Sequence, residues 1–366
     1  MKIILIHKAE FHKRPPVIST LSILLELGYE VILITTGISE EWKAKLANKN
    51  CQVFTYLPKK NNNVIFKIHD YLSFKKFAYK HIDKFYDNDT IIWVESAYTI
   101  VALGDKLNKY KHILQIQELH ESFKFQLRAI AKVIHQSLAV FMPEYNRTVF
   151  YQVWFKLQHR PYVLPNKPYF IPTDSELDKL ENKYKNLIDI FNTKKVILYQ
   201  GIIDPNRDLS NYIKATKKLG PDFQFVLLGK DYNMVDYYKS IDPTIIHIDF
   251  IPAPDYLCFT RKAFIGIVSY NTNSLNNVYC APNKIWEYSY FRLPMIGNDI
   301  PGLKYSIYQY KVGVCIDEHS VDSIYQAIKS IDKNYESFTF AATTFYNSIN
   351  NLETIKQVLN NLKQDN

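Results

Sequence analysis

At 366 residues, 47% of them hydrophobic and 22% charged, the chain is too long for one ordinary domain, can build two cores, and lacks the composition of a disordered protein. The net charge of +9 falls in residues 1–166, where 23 Lys and Arg stand against 14 Asp and Glu; residues 167–366 hold 22 of each. Four cysteines with no CxxC pair argue against a disulfide framework or a structural zinc site, and fit reduced thiols in a cytoplasmic chain.

In chain order, Ile3–Ile6 reads as a buried strand; its apolar run is too short for a signal-peptide core. No window approaches 18 uninterrupted apolar residues, so no membrane span is expected. The loop from His7 to Pro16 carries His12, Lys13 and Arg14 at the strand's carboxyl end, where cations suit a phosphate-bearing acceptor. Val17–Leu27 has helical spacing and stops at Gly28. Glu30–Thr35 is the next strand. Val64–Tyr86 reads as a helix with Lys76, Lys80 and Lys84 on one face and Ile65, Ile68, Leu72, Tyr79 and Ile82 on the other. Core packing with a solvated basic face is the commoner outcome of that pattern; rest on an anionic membrane is the alternative. Strand-like runs follow at Ile91–Val94, Ile113–Ile116, Ala139–Met142 and Tyr162–Leu164. The segment Ile116-Gln-Glu118-Leu-His120-Glu121 leaves the carboxyl end of one of them.

A polar stretch with Pro165, Pro168 and Pro172 near its start reads as hinge and linker, residues 167–194. The strand–helix rhythm then restarts. Val196–Tyr199, Phe225–Leu228, Ile245–Ile248, Phe264–Val268, Met295–Ile296 and Val312–Cys315 are expected strands; Leu209–Leu219, Pro282–Phe291 and Val321–Ile331 are expected helices. Helices at Phe338–Ile349 and Leu352–Leu362 close the chain. The reading is two α/β domains, 1–166 and 195–349, each a doubly wound parallel sheet, with 350–366 packing back toward the first. Such sheets bind ligands at the carboxyl ends of their strands, so two facing domains suit a reaction joining two substrates.

Three motifs carry chemistry. Val196-Ile-Leu-Tyr-Gln-Gly201 runs through a short loop to Arg207 and a helix, the layout of a phosphate site; no GxGxxG is present. Phe225-Val-Leu-Leu-Gly229 again ends a strand in glycine. After a polar loop, Ser269–Asn277, Pro282 is expected to open a helix whose first turn holds Asn283 and Lys284, with Glu287 one turn on. An anion would meet the Lys284 ammonium there, and Glu287 can accept two hydrogen bonds from a vicinal diol. A surface Lys284–Glu287 pair is the bland alternative.

Together the Gly201…Arg207 loop, Leu228-Gly229 and the block Pro282-Asn-Lys-Ile-Trp-Glu-Tyr288 before Leu293-Pro294 resemble the donor domain of GT-B glycosyltransferases, in particular retaining family 4. In the first half, Leu164-Pro-Asn166 looks like the family's hinge entry, and Pro143-Glu-Tyr-Asn-Arg147 is similar to a segment of many capsule- and lipopolysaccharide-type members. The resemblance implies a GT-B fold and transfer of a hexose-type sugar from a nucleoside-diphosphate sugar to a saccharide or lipid-linked acceptor, without metal or further cofactor. It assigns Glu287 to the ribose, Arg207 and Lys284 to the diphosphate, and the surroundings of Phe250 and Ile251 to the nucleobase. It places a polar residue, often His, beside the donor sugar, where His120 or Glu118 would assist catalysis or position the acceptor; an ordinary polar helix start is the bland alternative. The sequence departs from the pattern at Tyr279, where many members carry a glutamate eight residues before the ribose glutamate. A nucleotide-sugar 2-epimerase of the same fold, or an inactive scaffold subunit, are the alternatives. The implied location is cytoplasmic, with peripheral contact at the inner face of the plasma membrane through the basic half. No nucleic-acid-binding signature is present.

Overall fold

The computed structural model describes residues 1–58 and 64–364. It divides the chain into two compact units: 1–169 with 350–366, and 170–349.

The first unit is a seven-stranded parallel sheet of β1 (Lys2–Glu10), β2 (Glu30–Gly37), β3 (Cys51–Thr55), β4 (Thr90–Glu95), β5 (His112–Gln115), β6 (Ala139–Met142) and β7 (Tyr162–Val163), in the order β3-β2-β1-β4-β5-β6-β7. The uninterrupted runs Ile3–Ile6, Val31–Ile34 and Ile91–Val94 are buried because helices cover both faces of a parallel sheet. Strand order reverses between β1 and β4, which makes their carboxyl ends the switch point where doubly wound sheets bind ligands.

The Pro15–Glu26 helix buries Val17, Leu21 and Leu24 on one face of this sheet. The Asn351–Gln364 helix joins the same core through Ile355, Val358 and Leu359.

The second unit is a six-stranded parallel sheet of β8 (Lys195–Gln200), β9 (Phe223–Leu228), β10 (Ile246–Ile248), β11 (Ile265–Val268), β12 (Met295–Asn298) and β13 (Gly313–Ile316), in the order β10-β9-β8-β11-β12-β13. Its switch point is β8/β11. Gly201 follows β8 there, and Ser269 follows β11.

Four local expectations change. The stretch read as linker is folded: helices Asp174–Lys183 and Lys185–Thr193 bury Leu177, Ile188 and Phe191 in the core of the second unit. A capping box explains the first of them, since Thr173 Oγ accepts from the Glu176 amide while Glu176 reaches back to the Thr173 amide. Strand β3 was not expected. It is an edge strand, and Gln52 and Thr55 hide its pattern.

Pro282 does not open the helix it precedes, which runs Lys284–Tyr290. The Val64–Phe85 helix buries Phe74, Ala78, Tyr79 and Ile82 and keeps Lys76, Lys80 and Lys84 exposed, but Ile68 and Leu72 face solvent. Its first turns extend beyond the core; the side chain of Ile65 lies outside the described residues.

Candidate functional site

At the carboxyl ends of β8 and β9 two glycines lie back to back. A Cβ on Gly229 (φ +146°) would stand 1.9 Å from the Gly201 carbonyl oxygen. No side chain fits there, so the backbone ends of both strands are held in contact. On the other side, a Cβ on Gly201 would come within 3.2 Å of Lys284 Nζ. The ammonium of Lys284 therefore rests against the glycine loop.

Arg207 sits over the Tyr270 ring, its guanidinium carbon 4.8 Å from the centroid. Burial and the positive charge of Arg207 push Lys284 down to about 8, against the pull of Glu287. Neither cation makes a salt bridge among the described residues. Two cations that repel each other beside bare backbone are suited to an anion with several oxygens.

The helix starts contribute less than the sequence suggested. The amides entering the Ser210–Lys218 helix are taken: Ser210 N donates to Asp208 Oδ1 (2.9 Å) and Leu209 N to Tyr238 Oη (3.0 Å). The Lys284–Tyr290 helix has only seven residues, and Asn283 caps it without a side-chain hydrogen bond. The anion site thus rests on Gly201, Arg207 and Lys284.

Glu287 is buried at its base. Tyr256 Oη donates to Oε1 (2.6 Å) and Gln200 Nε2 to Oε2 (2.8 Å); Thr260 Oγ1 in turn donates to Gln200 Oε1 (2.7 Å). Burial raises the carboxyl above its ordinary range, while Tyr256, Lys284 and Gln200 oppose the rise. Each oxygen keeps a further lone pair, so a fixed carboxylate remains able to accept from a diol.

Gln200, Tyr256 and Thr260 were not singled out from the sequence. Only Gln200 carried a signal, as the last strand residue before Gly201. Phe250 leaves its ring exposed just after β10, whereas the side chain of Ile251 is in the core.

In the first unit, His120 is buried, has φ +61°, and meets Tyr98 and Phe123 edge-on. Burial lowers its pKa, so the ring is neutral at pH 7. Glu118 is exposed and turned to Arg147 Nη1 (3.3 Å); the buried Arg147 also donates to the Gln117 carbonyl. The Pro143–Arg147 segment therefore anchors this loop, and Glu144 caps its helix through the Arg147 amide (3.0 Å).

Of the expected basic loop, His12 and Lys13 face Glu10, at 3.4 and 2.7 Å. Arg14 is exposed and repels a proton from His7. His7 and Glu95, which no sequence motif singles out, are adjacent at the β1/β4 switch point.

The lowered pKa of Lys284 sets a pH expectation. The ammonium is charged below about 8 and neutral above it, so anion affinity is present below pH 8 and falls as pH rises past that value. Lys284→Arg should carry the affinity to higher pH, measured by calorimetric titration with UDP from pH 6.5 to 9.5.

Among the described residues no group of three or more His, Cys, Asp or Glu could hold a metal ion, and no helix is long and apolar enough to cross a membrane. The four cysteines are unpaired.

No protein-family model matches the sequence, and no curated protein sequence matches it. Solved structures do. HepE of Anabaena in complex with UDP-glucose aligns with a TM-score of 0.71 at 12% identity over 100% of both chains. A glycosyltransferase from Rickettsia africae aligns at 0.69 and 16% identity, over 99% of this chain and 97% of that one. Sucrose-phosphate synthase from Thermosynechococcus elongatus aligns at 0.66 and 12% identity, over 100% and 98%. The chain has the two-unit GT-B fold of these enzymes.

Proposed function

We propose that the chain is a glycosyltransferase that takes a hexose-type sugar from a nucleoside-diphosphate sugar. The observation that carries this is the pair Arg207 and Lys284, unneutralised beside Gly201 and one helical turn from the buried carboxylate of Glu287. A diphosphate and its ribose diol match those groups in charge and spacing. Phe250 and the backbone of Ile251 and Asn283 are the contacts assigned to the rest of the donor. The UDP-glucose bound to HepE, a protein of the same fold, supports the class of donor.

As the anomeric C–O bond to the diphosphate breaks, charge grows on the leaving group, and Arg207 and Lys284 stabilise it. The acceptor hydroxyl forms the new bond to the anomeric carbon and gives up its proton to the departing diphosphate. His120, neutral and held by its buried loop, is assigned to the sugar being transferred, with Glu118 beside it. Retention at the anomeric carbon, and a saccharide or lipid-linked acceptor of bacterial surface polysaccharide, follow from the resemblance to retaining family 4.

A panel of UDP-, GDP- and ADP-sugars, scored by nucleotide release, tests the proposal. Release from at least one donor is expected. Epimerisation of a UDP-sugar without transfer would favour the 2-epimerase, and binding without any turnover the inactive subunit to which Tyr279 points.

Peripheral membrane contact has its own support. The Val64–Phe85 helix exposes Phe66, Ile68 and Leu72 together with Lys67 and Lys76. The protein should sediment with phosphatidylglycerol vesicles at low salt, and Ile68→Glu with Leu72→Glu should abolish this. A wild-type protein that stays in the supernatant contradicts the contact.

A further inference from the structure

A row of polar side chains crosses the carboxyl edge of the first unit's sheet. Register pairs His7 with Thr35 on one side and with Glu95 on the other, and Glu95 with Gln115. All four therefore point to one face, toward the Pro15–Glu26 helix.

The outer members are satisfied. Thr35 Oγ1 donates to the Ala9 carbonyl (2.7 Å), and Gln115 Oε1 accepts from Trp93 Nε1 (2.8 Å) and Thr20 Oγ1 (3.1 Å). The middle members are not. Both ring nitrogens of His7, both carboxyl oxygens of Glu95 and Gln117 Oε1 are buried with no partner at full hydrogen-bond geometry; their nearest polar neighbours are Thr20 and Gln117 for Glu95, and the Glu95 backbone for His7. His7 is 4% exposed and Glu95 0%.

Such an atom is costly if nothing meets it, and folded proteins rarely leave several together. The backbone marks the same place. Ser96, directly after Glu95, has φ +74° and ψ +149°, a region kept almost wholly for glycine.

The character of the missing partner follows from what surrounds it. Burial pushes Glu95 up to about 8, and burial with Arg14 pushes His7 down to about 4, so both are neutral at pH 7. A neutral carboxyl and a neutral imidazole each offer one donor and one acceptor. That is the complement of hydroxyl groups.

A phosphate is poorly served. The helix above opens with Pro15 and Pro16, which have no N–H, and the Val17 and Ile18 amides both donate to the Arg14 carbonyl. His12 and Lys13 are turned to Glu10, which leaves Arg14 as the one cation of this loop without a salt bridge among the described residues.

We propose that His7, Glu95 and Gln117 form a hydroxyl-binding subsite, and that the acceptor moiety it receives is an unphosphorylated sugar rather than the phosphate-bearing one the basic loop suggested. The assignment as acceptor rests on the glycosyltransferase reading; the binding of sugar hydroxyls does not.

The test is calorimetric titration of the full chain with methyl glycosides of glucose, galactose, mannose and N-acetylglucosamine, and with the 6-phosphates of the same sugars. At least one neutral glycoside should bind saturably. Glu95→Gln and His7→Gln, each shown folded by circular dichroism, should weaken it tenfold or more; if one fails to fold, the other carries the same expectation. The 6-phosphates should bind no tighter than the neutral sugars.

Tenfold tighter binding of a phosphosugar overturns the proposal. So does binding indifferent to both substitutions, or a panel in which no neutral glycoside binds because ordered water alone fills the site. Failure of every nucleotide sugar to bind, with glycoside binding intact, would instead remove the transferase reading and leave the subsite.

Discussion

Lys284→Ala is expected to lower kcat/KM for the sugar donor by about 10²–10³-fold, as removal of a charge-stabilising group from a transition state does. Its ammonium lies against Gly201, is repelled by Arg207, and has no salt bridge among the described residues to hold it for structural reasons. Substitution removes one of two cations that face the departing diphosphate and relieves the repulsion with Arg207. Thermal stability should therefore be unchanged or slightly higher while activity collapses. A loss of stability in parallel with activity would mean that Lys284 is a structural residue. Steady-state kinetics and a melting curve on the same preparation separate the two.

Gly229→Ala is the second large effect. The added Cβ would overlap the Gly201 carbonyl at 1.9 Å, and its neighbours are backbone, which cannot rotate away. The φ of +146° adds strain to any side chain. A destabilisation of about 3–5 kcal/mol is expected, roughly 10 °C or more in Tm for a unit of this size.

Gly220→Ala is the control. Its φ of +93° is also unfavourable, but no atom lies within 4 Å of the new Cβ, so only conformational strain of about 1 kcal/mol applies. Equal losses at the two positions would show that the packing of the two glycine loops is not what constrains Gly229.

Much of the fold was legible because parallel strands buried on both faces are written as apolar runs. Ile3–Ile6, Ala139–Met142 and Phe225–Leu228 are examples, and the alternation with helices gives the doubly wound order. What escaped was structure whose cause lies elsewhere in the chain. β3 is an edge strand whose pairing with β2 outweighs its polar pattern. The two helices after Thr173 pack on a core made by residues up to 170 positions away, although their capping box was there to read. Ile68 and Leu72 have correct helical spacing, but periodicity does not say where the core ends.

The site shows the same division. Gly201, Arg207, Gly229, Lys284 and Glu287 were found because short-range motifs carry them. Tyr256 and Thr260 reach Glu287 or its partner Gln200 from 31 and 60 positions away in the chain, and no local pattern announces them. His7 and Glu95 were hidden for another reason: each directly follows an apolar run, and only the β1/β4 register places them together. Pro15 and Pro16 could have warned against a phosphate there, since two prolines remove the amides an anion would use.

The most direct measurement of the central claim is calorimetric titration of UDP, GDP and ADP into the wild-type protein and into Arg207→Ala and Glu287→Ala. The account predicts that at least one nucleotide binds the wild type, that Arg207→Ala weakens it tenfold or more through the diphosphate, and that Glu287→Ala weakens it through the ribose. A wild-type protein that binds none of the three, or binding untouched by both substitutions, would contradict it.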